Sequence, residues 1–198
     1  MNGPRLILLD RDGVLNDVVV DPEHGTIDSP LHPAQVVVPA WVPGALAALT
    51  EAGWILSVVT NQPAWAKGKT TRANLEATHE AVLQRVQAEG GRIESSFMCL
   101  HRSEDGCPCR KPRPTMLLQA LERHRVPAER AWMVGDGVTD VQAGAAAGVR
   151  TAFLGPAKDD ARRIFHDRGL VPDFWGSRLD ELVRFLENEP RAGSGRGP

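Results

Sequence analysis

The chain has 198 residues, of which 42% are hydrophobic and 24% are charged, and its formal net charge is −2. This is the composition of a globular domain, and it excludes a chain that is disordered throughout. The slightly acidic balance also argues against a protein that coats nucleic acid or an anionic membrane.

Nothing in the sequence predicts a membrane span or a secretion signal. The longest apolar stretch, Val36–Leu49, is interrupted by Pro39, Pro43 and Gly44 and falls short of the about 18 residues that a bilayer requires. The apolar run Leu6–Leu9 is too short for the hydrophobic part of a signal peptide. The 3 cysteines are an odd number, which is typical of a reducing compartment rather than of a disulfide framework. We therefore expect a cytoplasmic protein.

Strand and helix patterns alternate along the chain. Short apolar runs predict strands at residues 5–10, 54–60, 96–100, 131–136 and 150–154, with an edge strand at 173–175. Helical spacing predicts helices at 42–52, 71–88, 114–124, 138–147, 159–168 and 177–187. This alternation predicts an α/β fold, namely a Rossmann-like three-layer sandwich with a mostly parallel sheet.

The segments between these elements indicate the domain organisation. Residues 13–40 contain several prolines and are predicted to be irregular. The spans from Asp12 to Thr60 and from Thr60 to Lys111 are largely used by sheet and helix, so no separate cap domain fits. We expect a single domain over residues 1–190, followed by a disordered tail at 191–198.

Polar residues stand where three of the predicted strands end. Asp10 closes the first strand, Thr60 the second and Asp136 the fourth. Each residue by itself is also typical of the start of a loop. In an open α/β sheet, however, ligands bind in the crevice beyond the carboxyl ends of the strands, so we expect these side chains to converge there.

A carboxylate cluster at this edge predicts a magnesium site. Asp12 adds another acid two residues after Asp10, and such a group of like charges needs a compensating cation. Carboxylates, a carbonyl, water and a phosphate oxygen are the ligands that Mg²⁺ prefers. Lys111 is expected to supply a further positive charge, because a carboxylate that attacks a phosphoryl group requires screening.

The cysteines form a second motif with one histidine. Cys99, His101, Cys107 and Cys109 supply three thiolates and one imidazole, a full set of ligands for a tetrahedral Zn²⁺ site. Two alternatives are small buried cysteines beside an unrelated histidine, and a redox pair that leaves Cys99 and His101 unused. With no open coordination position, the predicted zinc is structural, and it would stiffen the loop immediately before Arg110.

These residues together resemble the haloacid dehalogenase superfamily of phosphatases. Leu9–Asn16 resembles its first motif, which carries the D-x-D pair, and Thr60–Gln62 resembles its second. Lys111 matches the third motif, and Gly135–Asp140 matches the G-D-x-x-x-D fourth motif. The motifs occur in the family's order and span residues 9–140.

The resemblance implies a mechanism and a role for each motif residue. Asp10 would be the nucleophile that forms an aspartyl-phosphate, and Asp12 the general acid and base. Mg²⁺ would be held by Asp10, Asp136 and the backbone carbonyl of Asp12. The remaining roles implied are phosphoryl binding by Thr60, charge stabilisation by Lys111, and orientation of Lys111 or of a metal-bound water by Asp140.

The zinc motif directly before Arg110-Lys111-Pro112 narrows the resemblance further. It looks like the D-glycero-D-manno-heptose 1,7-bisphosphate phosphatases, which implies removal of the 7-phosphate during nucleotide-activated heptose synthesis. It also implies substrate contacts from Asn61, Gln62 and Arg110. Because no cap is expected, the segment at residues 16–33 should contribute to specificity, and Asp17 is its candidate contact.

Alternatives to this interpretation stay open at this point. Histidinol-phosphate phosphatases share the same arrangement, and the chain has Gly137 where the heptose enzymes commonly have a lysine that touches the substrate. A non-catalytic, zinc-stabilised binding module is the alternative of another class. We expect a small phosphorylated sugar as the partner, with no nucleic acid or membrane, and a monomeric protein.

Overall fold

Six parallel strands form the central sheet of the computed structural model, which describes residues 3–21, 25–155 and 159–189. The strands are β1 (Arg5–Leu9), β2 (Val19–Asp21), β3 (Thr26–Asp28), β4 (Trp54–Asn61), β5 (Ile93–Cys99), β6 (Ala131–Gly135), β7 (Arg150–Leu154) and β8 (Phe174–Gly176). The helices are α1 (Trp41–Glu51), α2 (Arg72–Val86), α3 (Thr115–His124), α4 (Val138–Ala147), α5 (Asp159–Asp167) and α6 (Leu179–Asn188). The sheet has the order β5-β4-β1-β6-β7-β8.

Strand β1 lies at the centre of the sheet because its apolar run can be covered on both faces. Leu6 and Leu8 pack in the core under α3 and α4, whereas Ile7 and Leu9 pack in the core under α1, α2 and α6. All four side chains are fully buried, as expected for a parallel strand between two helical layers. The predicted α/β three-layer fold is thereby confirmed.

The register of the central strands sets the position of the polar residues that follow them. β1 pairs in parallel with β4 on one side and with β6 on the other. The backbone amide of Asp10 then donates to the carbonyl of Val134 at 2.9 Å. The ends of β1, β4 and β6 therefore open onto the same edge of the sheet, where ligands bind in this class of fold.

The prediction of an irregular segment at residues 13–40 is wrong in part. β2 and β3 form an antiparallel two-stranded ladder in which Val20 is opposite Ile27. β-branched residues favour this pairing, and Pro30, Pro33 and Pro39 lie outside the paired residues. An ion pair between Asp28 and Lys69 fastens the ladder to the loop after β4.

Other departures from the sequence prediction are small. β5 begins at Ile93, a few residues earlier than predicted, and the helix ends differ by one or two residues. The tail at 191–198, predicted to be disordered, lies outside the described residues. Among the helices that the structure describes, none has both the length and the apolar composition to cross a membrane.

Candidate active site

Carboxylate groups meet at the edge formed by β1, β4 and β6. Asp10 follows β1, Asp136 follows β6, and Asp140 lies in the first turn of α4. Oxygens of these three side chains all lie within 4.8 Å of one another. The structure therefore brings Asp10 together with Asp136 and Asp140, which lie far along the sequence from it.

Lys111 forms ion pairs with two of these acids. Its Nζ lies 3.0 Å from Oδ1 of Asp10 and 2.6 Å from Oδ1 of Asp140, and it donates to the carbonyl of Val59 at 2.7 Å. Burial by itself lowers the pKa of Lys111, but the carboxylates of Asp10 and Asp140 outweigh burial and raise that pKa above its usual value. Lys111 is therefore a permanent positive charge at the site.

The backbone of Lys111 is held by the end of β4. The side-chain amide of Asn61 accepts from the Lys111 amide and donates to its carbonyl, both at 3.1 Å. This reciprocal pair fixes the loop that carries the lysine. Asn61 was predicted to contact the substrate, and the structure shows its amide engaged with Lys111.

The carboxylates of Asp10 and Asp136 lie in an environment that favours a bound divalent cation. Burial, together with the negative charges of Asp10 and Asp140, raises the pKa of Asp136 to about 7 against the opposing effect of Lys111. Burial likewise raises the pKa of Asp10 to about 6, although Lys111 counteracts it. Such raised values are typical of like charges crowded in a desolvated site, and a bound Mg²⁺ would restore the ionised forms.

Asp140 has its oxygens already engaged. Oδ1 faces Lys111 and Oδ2 accepts from the backbone amide of Gly137 at 3.0 Å. Asp10 and Asp136 are therefore better placed than Asp140 to hold Mg²⁺, within the group that these three acids form. Asp140 is placed to orient Lys111.

Gly13 allows the loop after β1 to approach Asp136 closely. Its φ is +85°, and a Cβ at this position would stand 2.0 Å from Oδ2 of Asp136. Only glycine fits both the backbone conformation and the space. The close approach presses the turn that holds Asp12 against the end of β6.

Asp12 lies beside the carboxylate cluster and has its own set of donors. Arg11, Asn16 and Gln62 donate hydrogen bonds to its carboxylate. The carboxylate of Asp12 is outside the group whose oxygens lie within 4.8 Å. The sequence analysis gave no role to Arg11 or Asn16 in holding Asp12. The position of Arg11 between Asp10 and Asp12 was a signal that could have indicated such a role.

Thr60 is the second-to-last residue of β4, and its hydroxyl faces Gln62. Thr60 is 1% exposed, and its Oγ1 accepts from Nε2 of Gln62 at 3.0 Å. Because the oxygen accepts this bond, the hydroxyl proton is free to donate to a third group. This suits a side chain that holds a phosphoryl oxygen.

The predicted zinc ligands form a tight cluster. Sγ of Cys109 lies 3.3 Å from Sγ of Cys99, 3.5 Å from Sγ of Cys107 and 3.3 Å from Nδ1 of His101. Sγ of Cys99 lies 3.6 Å from Sγ of Cys107 and 3.7 Å from Nδ1 of His101. A tetrahedral zinc with Zn–S bonds of about 2.3 Å separates its ligands by about 3.7 Å, so the spacing fits this metal and is too long for a disulfide.

The cysteine cluster is joined directly to the edge of the sheet where the acids lie. The backbone N–H of Gln62 donates to the carbonyl of Cys99 at 2.7 Å. The guanidinium of Arg113 donates to the carbonyls of Gly106 and Cys107. The chain passes from Cys109 straight into Arg110 and Lys111. Any loosening of the cluster would therefore reach Lys111 within two residues.

A basic cavity of about 370 Å³ lies beside Lys111. Arg102, Arg110 and Arg113 line it together with Asn61 and Thr139. Its charge and its position next to the acids suit a phosphorylated substrate. Asp17, the candidate contact from the segment at residues 16–33, is exposed and does not line this cavity.

A larger cavity of about 630 Å³ lies at the opposite end of the sheet. Trp54 and Trp132 line it with Arg5 and Arg150, and each arginine stacks on one of the tryptophans. None of the predicted catalytic residues lines this cavity. Of these two cavities, the smaller is the one that a predicted catalytic residue, Lys111, lines.

Proteins with similar sequences are named as phosphatases. The HAD-hydrolase-like family model matches residues 108–176. A D-glycero-beta-D-manno-heptose-1,7-bisphosphate 7-phosphatase of Pseudomonas aeruginosa is 36% identical over 182 residues, covering 84% of this chain and 94% of the relative. The enzyme of the same name from Pseudomonas putida is 35% identical, covering 79% and 85%.

Solved structures that are similar to this chain are also named as phosphatases. The D,D-heptose 1,7-bisphosphate phosphatase of B. bronchiseptica, solved with magnesium and phosphate, has a TM-score of 0.78 and 31% identity, covering 94% of this chain and 99% of that one. A putative HAD-like phosphatase from Mesorhizobium loti has a TM-score of 0.71 and 30% identity, covering 93% and 88%.

Proposed function

Since the chain belongs to the haloacid dehalogenase family of phosphatases, we propose that it removes the 7-phosphate from D-glycero-D-manno-heptose 1,7-bisphosphate through a phosphorylated Asp10. The observation that carries the chemistry is the convergence of Asp10, Asp136 and Asp140 around Lys111. The names of the relatives support the substrate. The product would enter the synthesis of nucleotide-activated heptose.

The first half of the reaction transfers the phosphoryl group to the protein. Oδ1 of Asp10 accepts from Lys111 and from the backbone amide of Arg11, so Oδ2 is left to attack phosphorus. An O–P bond forms to Asp10 as the P–O bond to the sugar breaks, and Asp12 gives its proton to the departing oxygen. Thr60 and Lys111 stabilise the charge on the phosphoryl group during transfer.

The second half of the reaction releases phosphate. Asp12, now a carboxylate, takes a proton from a water molecule that attacks the phosphorus of the aspartyl-phosphate. The Asp10–phosphate bond breaks, and Asp10 and protonated Asp12 are restored. Mg²⁺ held by Asp10, Asp136 and the backbone carbonyl of Asp12 would neutralise the negative charge of the phosphoryl oxygens.

Replacing Gly13 with alanine tests the cation site. A Cβ 2.0 Å from Oδ2 of Asp136 would displace this carboxylate. We expect Gly13→Ala to raise the Mg²⁺ concentration for half-maximal activity by about tenfold to a hundredfold, the range found when the support of a metal ligand is disturbed. A magnesium titration of phosphatase activity measures this change.

Gly53→Ala is the matched control. Gly53 has a φ of +80° and nothing within 4 Å of the added Cβ, so both variants strain the backbone but only one displaces an acid. An equal magnesium requirement in the two variants would contradict the assignment of Asp136 to the cation.

A substrate panel tests the specificity. We expect kcat/KM for heptose 1,7-bisphosphate to exceed that for histidinol phosphate by at least about tenfold, because the basic cavity beside Lys111 would recognise a second phosphate that histidinol phosphate lacks. Both anomers of the bisphosphate should be measured. A preference for histidinol phosphate would overturn the proposed substrate and leave the phosphatase chemistry in place.

A further inference from the structure

The carboxylate of Asp12 is held by donors from both sides of the site. Oδ1 accepts from Nε of Arg11 at 3.1 Å, from Nη2 of Arg11 at 3.0 Å and from Nδ2 of Asn16 at 2.9 Å. Oδ2 accepts from Nη2 of Arg11 at 3.1 Å and from Nε2 of Gln62 at 2.5 Å. The side chain of a proposed proton donor is therefore fixed by contacts from its own loop and from the end of β4.

Chemistry alone fixes the orientation of the Gln62 amide. Arginine can only donate, so the Gln62 atom that faces Nη2 of Arg11 at 2.9 Å is the oxygen. The nitrogen then faces Asp12 and Thr60, to which it donates at 2.5 Å and 3.0 Å. Gln62 is 1% exposed, and both polar atoms of its side chain are engaged within the protein.

Arg11 and Asp12 depend on each other within this network. Arg11 is 0% exposed, and a buried guanidinium needs hydrogen-bond acceptors within the protein. The carboxyl group of Asp12 accepts from it at 3.0 Å and keeps acceptor capacity when it carries a proton, and Gln62 bridges both partners. Nη1 of Arg11 has no hydrogen-bond partner in the described part of the chain, which increases the dependence on the bonds that remain.

We propose that Gln62, with Arg11 and Asn16, is a positioning residue that aims the carboxyl group of Asp12 at the leaving oxygen, and that Gln62 does not contact the substrate. This inference rests on the proposed function, in which Asp12 donates a proton to that oxygen. Without Gln62 the carboxyl group loses its link to β4 and can rotate about its side-chain bonds. Proton transfer requires an aligned donor, so the loss falls on esters whose leaving group needs a proton.

Two aryl esters of nearly the same shape separate positioning from substrate binding. The leaving group of p-nitrophenyl phosphate departs as a stable anion, whereas that of phenyl phosphate benefits from a proton. The value of kcat/KM reports only the steps up to the loss of the leaving group. It is therefore unaffected by the later step in which Asp12 acts as a base. Any effect through Thr60 on phosphoryl binding acts on both esters equally and cancels in their ratio.

The variant Gln62→Met removes both amide bonds at similar side-chain volume. General acid catalysis supplies about 10²–10⁴-fold, so we expect kcat/KM for phenyl phosphate to fall at least about tenfold and that for p-nitrophenyl phosphate by less than about threefold. Gln62→Glu keeps the acceptor for Arg11 and removes the donor to Asp12, and it should change the ratio in the same direction. It serves as the second variant if Gln62→Met does not fold.

Thr78→Val is the matched control, since Thr78 is also 1% exposed and its hydroxyl donates to the carbonyl of Asn74, away from Asp12. We expect this variant to leave the ratio unchanged. An unchanged ratio in both Gln62 variants, with a raised KM for the sugar bisphosphate, would show substrate contact and overturn the positioning role alone. No hydrolysis of any ester by the wild type would overturn the proposed function and this inference with it.

Discussion

Replacing Asp10 with asparagine is expected to lower turnover by at least about 10⁴-fold, the order found when the nucleophile of an enzyme is removed. The amide of Asp10→Asn can still accept from the backbone amide of Arg11, which bonds Oδ1 at 2.7 Å. It cannot attack phosphorus, because an amide oxygen is a poor nucleophile. Steady-state hydrolysis of the heptose bisphosphate and of p-nitrophenyl phosphate measures the loss.

The loss should be chemical and not a failure to fold. Burial raises the pKa of Asp10 to about 6 although Lys111 opposes it, so the charged form of this carboxyl destabilises the cation-free protein at neutral pH. The neutral amide removes that penalty, and Lys111 keeps its ion pair with Asp140. The melting temperature of Asp10→Asn in a chelating buffer should therefore equal or exceed that of the wild type.

Asp180→Asn is the control for the loss of a carboxylate. Asp180 is a partly exposed residue of α6 that pairs with Arg178 and Arg184 on the surface. Its replacement should leave turnover unchanged. Turnover by Asp10→Asn within tenfold of the wild type would contradict covalent catalysis by Asp10.

The second large effect is expected from Cys107→Ser. A structural zinc site contributes its binding free energy to folding, and a serine oxygen is a poor replacement for a thiolate ligand. We expect the zinc content to fall from about one ion per chain toward zero, and the melting temperature to fall by at least about 5 °C, which is roughly 2 kcal/mol for a chain of this length. Elemental analysis and thermal unfolding measure the two changes.

Catalysis should decline in the same variant, although Cys107 does not reach the acids. Cys109 leads directly into Arg110 and Lys111, and Gln62 bonds the carbonyl of Cys99. Glu104→Gln, in the same loop and outside the cluster, is the control that should keep zinc and stability. Unchanged zinc content in Cys107→Ser would refute the assignment of four ligands.

Much of the fold could be predicted because strong local patterns agreed with the tertiary structure. The run Leu6–Leu9 is apolar at every position, and the structure buries it on both faces. The placement of Asp10, Thr60 and Asp136 after such runs then follows from the rule that parallel strands share a carboxyl edge. The spacing of the cysteine motif likewise indicated a cluster that the structure assembles.

The remaining features depend on contacts that no local pattern encodes. The ladder of β2 and β3 has three residues in each strand, too few for the alternation that predicts a strand. The engagement of Gln62 with Asp12 joins side chains 50 positions apart, so the sequence indicated a polar residue but not its partner. The single domain over residues 1–190, the cytoplasmic location and the monomeric state stay predictions.

Chemical trapping of the intermediate tests the central claim most directly. Asp12→Asn, which lacks the base for the second half of the reaction, is mixed with p-nitrophenyl phosphate, quenched in acid and treated with borohydride. Borohydride reduces an acyl phosphate to an alcohol and leaves a free carboxylate intact, so peptide mass spectrometry should find homoserine at position 10. Release of nitrophenol with an unmodified Asp10, or with the modification at another residue, would contradict the account.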